Sequence, residues 1–82
     1  MRYFFNLAGS VHDSDDEGME FADLGQARKF AAVHAGELLQ DQPDVVWAGD
    51  ELRIEVTNED RLLLFTLILF GVDAPSIGTM RG

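Results

Sequence analysis

The run from Leu62 to Phe70 constrains this chain most, because its nine residues are apolar throughout except for Thr66. Read as a strand, it sets Leu62, Leu64 and Ile68 on one face and Leu63, Phe65, Leu67 and Leu69 on the other. Apolar side chains on both faces are the pattern of a central or covered strand. As a helix the run reaches only about half of the roughly 20 residues that cross a bilayer. Just upstream, Leu52, Ile54 and Val56 alternate with Arg53, Glu55 and Thr57, and Asn58-Glu59-Asp60 supplies a turn. The two segments therefore form a β-hairpin.

A hairpin with one doubly apolar strand needs cover on both sides. The helix comes from the middle of the chain. Asp23 accepts hydrogen bonds from free amides of a first helical turn, Gln26 reaches back toward it, and a helix from Leu24 to Gln40 follows. Its apolar stripe is Ala27, Phe30, Ala31, His34 and Leu38. Ala31, Ala32, Ala35 and Gly36 allow close backbone approach, and the cost of glycine inside a helix implies that packing demands Gly36. Asp41 to Asp44, with Pro43, ends the helix, and Val45, Val46 and Trp47 lend apolar cover beyond it.

At the start, Arg2 to Leu7 reads as a strand with Tyr3, Phe5 and Leu7 on one face and Phe4 and Asn6 on the other. A solvated loop from Ala8 to Gly18 follows, and Met19 to Phe21 can pair back briefly. The expected fold is α+β, a small four-stranded and mostly antiparallel sheet with one α-helix packed on one face, in the order β-β-α-β-β. Residues 1–71 form a single α+β domain, and 72–82, holding Pro75 and two further glycines, form a flexible C-terminal tail. Eighty-two residues leave no room for a second domain.

With one helix available for two apolar faces, the row Leu63, Phe65, Leu67 and Leu69 needs another partner. A second copy of the chain meets that need by two-fold pairing through sheet faces or edges. Trp47, Phe4 and the tail folding over the row within one chain is the alternative. A non-enzymatic, homodimeric protein-interaction module is accordingly the leading functional expectation.

Charge narrows the partners. Six Lys and Arg against 15 Asp and Glu leave a formal charge of −9, which repels nucleic acid at long range. Asp13, Asp15, Asp16, Glu17, Glu20 and Asp23 follow one another without an intervening Lys or Arg. They form an acidic patch, and suggest as a second reading an acidic antitoxin-like or nucleic-acid-mimic regulator that neutralises a basic protein partner. Asp13 to Gly18 also opens like a calcium loop, but the twelfth position, where a bidentate carboxylate belongs, is Leu24.

His12 and His34 lack metal-ligand spacing, Ser10 and Ser76 lack a nucleophile context, and Gly9 is in no phosphate-cradling loop. His34 reads as a partly buried, hydrogen-bonded side chain, and Glu20 with Asp23 has no pocket legible in sequence. No catalytic residue, cofactor or metal is expected. The absence of cysteine suits a reducing compartment. Met1-Arg2 followed by Tyr3-Phe4-Phe5 and then Asn6 is not a secretory signal, so a cytoplasmic protein without membrane contact is expected.

Tyr3-Phe4-Phe5-x-Leu7, Asp16-Glu17-Gly18-x-Glu20-Phe21-x-Asp23-Leu24, and Ala27-Arg28 with Ala31 resemble a family of short bacterial proteins catalogued as a domain of unknown function. The resemblance covers about the first 40 residues and, more loosely, the closing strand pair. It implies a strand, an acidic turn, a helix and a final hairpin, and it carries no activity, substrate or cofactor. The strongly apolar last strand and the segment after Gly71 depart from the family pattern. In layout alone the chain is also similar to antitoxin domains of the HicB type, without the basic DNA-binding segment such proteins usually carry.

Overall fold

The computed structural model describes residues 1–76. Four strands, β1 (Arg2–Gly9), β2 (Met19–Glu20), β3 (Leu52–Thr57) and β4 (Leu63–Leu69), form one antiparallel sheet in the order β2-β1-β3-β4. One helix, α1 (Leu24–Asp41), connects the first pair to the second, and a short 3-10 helix at Pro43–Val46 follows it. The α+β architecture is therefore as expected. The first strand is longer than its alternation suggested, because Ala8 and Gly9 continue the ladder opposite Arg53 and Leu52. Gly9 is required there. It has φ of 85°, and a Cβ on it would run into the Glu51 carbonyl oxygen.

Cross-strand partners share a face, and that rule locates the core. Tyr3 and Phe5 from β1 and Leu52, Ile54 and Val56 from β3 are all buried. Against them lie Ala27, Ala31 and Ala35 of α1, each at most 2% exposed. A stripe of methyl side chains lets the helix axis approach the sheet closely, and the larger Phe30 packs at its margin. Phe21 and Phe30 complete an aromatic cluster with Phe5, whose ring lies 4.9 Å from that of Phe30 in an edge-on arrangement. The buried stripe is thus Ala27, Ala31 and Ala35, while His34 and Leu38 stay half-buried on its flank.

The N-terminus of α1 forms as the sequence indicates. Asp23 Oδ1 accepts from the Gln26 amide at 2.9 Å, and Gln26 Oε1 accepts from the Ala22 amide at 3.1 Å, one residue earlier than in the usual reciprocal box. The expectation for Gly36 is overturned. It is exposed, and a Cβ built there meets nothing within 4 Å, so no packing partner demands glycine.

The largest revision concerns β4. Leu69, Leu67 and Phe65 pair with Leu52, Ile54 and Val56, but the next pair is Leu63 with Thr57, so Leu64 is an extra residue in a β-bulge. The bulge reverses the alternation. Phe65, Leu67 and Leu69 face the helix side together with Leu64, all packed against the core, whereas Leu63 turns to the open face with Ile68. The four residues of the predicted row therefore do not share one face, and three of them lie on the side that α1 occupies. The expected tail from residue 72 is exposed through Ser76 and otherwise lies outside the described residues.

Candidate interaction surface

Two edges bound the sheet, and they differ in chemistry. At one edge β2 is only two residues long, and Glu20 on it pairs with the Met1 amino group at 3.2 Å and Arg2 at 3.8 Å. At the other edge β4 offers seven residues, Leu-Leu-Phe-Thr-Leu-Ile-Leu, with no charge, proline or glycine. One side of its backbone is paired to β3, and no strand among the described residues pairs with the other. Leu62, Leu63, Ile68 and Phe70 along it are between 53% and 64% exposed, and Phe65, Leu67 and Leu69 are half-buried. The helix-side row thus stays partly open at this edge. Beyond β4 the chain is held by the Gly71 amide donating to Val46 at 2.8 Å, where the Trp47 ring lies directly over Gly71.

The open face carries few free charges. Arg53 on β3 is gripped by Glu51 at 2.6 Å and Glu55 at 3.2 Å. The hydrogen bonds that Arg53 donates to Glu51 and Glu55 outweigh desolvation and hold its guanidinium above its ordinary value. Glu51 is held below the usual carboxylate range, first by its own backbone amide and then by Arg53.

The six predicted patch acids do different work. Asp15 is structural: its Oδ2 accepts from the Phe5 amide and its Oδ1 from the amides of Glu17 and Gly18, each at 3.0 Å. Leu7 lies four positions after Tyr3 on β1, but their partners Asp13 and Met19 lie six positions apart, so the connection bulges by two residues. The Asp15 carboxylate fills the resulting gap in the ladder. Partial burial pushes this carboxyl up, and the amides of Gly18, Phe5 and Glu17, helped by His34, pull it further down, to a net value below the usual range. Asp23 is the helix cap and Glu20 is paired at the β2 edge. Asp13, Asp16 and Glu17 remain, exposed and without a side-chain partner among the described residues.

These three acids line one cleft of about 660 Å³ between the β1–β2 connection and α1. Its apolar walls include Phe5, Leu7, Val11, Phe30 and Leu38. His34, half-buried, lies along it with its ring parallel to that of Phe30 at 5.8 Å, so stacking rather than the expected hydrogen bond holds the imidazole. The calcium-like sequence of the loop is used otherwise, since both Asp15 oxygens already serve backbone amides. Among the described residues no group of three or more His, Asp or Glu is placed to hold a metal ion, and no helix is long and apolar enough to cross a membrane.

Sequence alternation found the β4 residues but missed the bulge, and acid counting found the loop but missed its division of labour. The signal for Asp15 was the short Asp15-Asp16-Glu17-Gly18 string, in which an aspartate two and three residues before amides can fold an Asx turn. A family profile described as a domain of unknown function (DUF6894) matches residues 2–71. No curated protein and no solved structure matches the chain.

Proposed function

The chain belongs to the DUF6894 family, a domain of unknown function, and from that footing we propose that it is a non-enzymatic interaction module that works as a homodimer joined through β4. The observation that carries this reading is the uncharged seven-residue edge of β4. Proteins blunt free edges with Lys, Pro, bulges or short strands, because an unprotected one pairs with any matching strand. Here only the bulge at Leu64 interrupts it, at one end.

Antiparallel pairing of β4 with its copy about a two-fold axis joins two four-stranded sheets into one. The half-buried Phe65, Leu67 and Leu69 then meet the same residues of the partner and link the two cores, while Leu63 and Ile68 line the seam on the open face. The net charge of −9 on each chain opposes the approach at long range, and the apolar seam must outweigh that repulsion. Asp13, Asp16 and Glu17 belong to the connection at the far edge, Arg53 is held between Glu51 and Glu55 beside the seam, and exposed Glu59, Asp60 and Asp73 flank the two ends of β4. A cysteine-free acidic chain of this kind suits the reducing interior of a bacterial cell.

Light scattering behind a sizing column, over a dilution series, tests the reading. A mass near twice 9.1 kDa is expected for the parent chain. Thr66→Pro, which removes a backbone donor at mid-strand, and Leu67→Asp should both shift it to the monomer. A parent chain that is monomeric at every concentration, or a dimer that survives both substitutions, overturns the assignment.

A further inference from the structure

We propose that the cleft between the β1–β2 connection and α1 is a peptide-binding site, and that it takes a segment in which a lysine or arginine sits beside apolar residues. Of the six acids between residues 13 and 23, the three without a side-chain partner among the described residues, Asp13, Asp16 and Glu17, line this cleft, whereas Asp15, Glu20 and Asp23 are committed to the loop, the strand edge and the helix cap. Opposite the acids lie Phe30 and Leu38, so the cleft presents a negative rim and an apolar wall together.

That pairing selects a class of ligand. An anion is repelled by the rim and by the net charge of −9. A purely apolar ligand removes water from carboxylates without replacing their hydrogen bonds, which is costly. A cationic side chain with an apolar neighbour answers both walls, the cation on the carboxylates and the hydrocarbon on Phe30 and Leu38. The volume, about 660 Å³, lies in the range of ligand clefts and exceeds what one side chain fills. The cleft is also preformed, because the Leu7–Asp13 bridge and the three amides on Asp15 fix the loop without a ligand. It lies at the opposite end of the sheet from β4, so this inference stands independently of the dimer.

The test is an amide-shift titration of the isotope-labelled full chain with N-acetyl-leucyl-arginyl-phenylalaninamide, beside the same peptide with a glutamyl residue in place of the arginyl. Saturable shifts confined to residues 13–19 and 30–38 are expected with the arginyl peptide and none with the glutamyl one. The triple substitution Asp13→Asn, Asp16→Asn, Glu17→Gln should weaken binding about tenfold, the scale of three partly exposed ion pairs, with the rest of the spectrum unchanged. Should that variant fail to fold, Leu38→Gln on the apolar wall serves as the second probe and should also weaken binding. The proposal is overturned by absence of saturation at millimolar peptide, by equal binding of the glutamyl peptide, by shifts that centre instead on Glu51 and Glu55, or by affinity indifferent to the substitutions.

Discussion

The Asp15 carboxylate stands 3.0 Å from the amide nitrogen of Phe5, in the position that a carbonyl of a neighbouring strand would fill. Its other oxygen serves Glu17 and Gly18, so both oxygens must accept. An amide side chain cannot do this, since one of its two terminal atoms is a donor. Asp15→Asn should therefore lose about 2 kcal/mol, the scale of a charged hydrogen bond exchanged for an unpaired donor. Urea unfolding checks the loss, and the Phe5 amide should exchange faster in the variant. Unchanged stability would show that the loop holds itself without the carboxylate.

The same carboxyl makes stability depend on pH. Its folded value lies below the ordinary one, so the native state favours the charged form. The stabilisation is fully present above the unfolded aspartate value of about 3.9 and is lost as pH falls through the lower folded value. Parent chain and Asp15→Asn, unfolded in urea from neutral pH downward, should differ most at about pH 6, begin to draw together near about pH 4 and converge only below the folded value. A gap that stays constant into strong acid contradicts the linkage.

Two glycines should respond oppositely to alanine. At Gly36 the added methyl meets open space on an exposed helix face, and Gly36→Ala should raise stability by about 1 kcal/mol. At Gly9 the residue has φ of 85° and its missing Cβ would strike the Glu51 carbonyl, so Gly9→Ala should cost at least about 2 kcal/mol. Thermal or urea melts of the pair decide the matter, and equal effects would refute the distinction.

The ring of Trp47 lies on Gly71, and any side chain at 71 occupies the space of that ring. Gly71→Val should displace the indole, which is already 59% exposed, lower its fluorescence anisotropy by freeing the ring, and loosen the end of β4 that the Gly71 to Val46 hydrogen bond holds. Trp47 is the single tryptophan, so its fluorescence reports this contact alone. An unchanged anisotropy would place the indole elsewhere in solution.

Local chemistry was legible in the sequence, and register was not. The Asp23 cap and the Leu52, Ile54, Val56 face follow from residues a few positions apart, and both are found as expected. The bulge at Leu64 left no trace, because a strand apolar on both faces has no alternation to break. Sequence alone could not say that Phe65 and Leu63 face opposite ways. The acidic loop was visible as charge, but the burial that singles out Asp15 from Asp16 arises only when β1 lies beside it. Gly36 shows a converse limit, since a glycine that is costly inside a helix implies a packing demand that the fold does not make.

The strand order β2-β1-β3-β4 places the acidic cleft beside β1 and the free edge two strands away. If two chains join at β4, β1 and its copy stand five strand spacings apart, about 24 Å at roughly 4.8 Å each. Such an assembly is a molecular ruler with a mouth at either end, and avidity then favours a target that repeats its basic motif at that interval over one that displays it once.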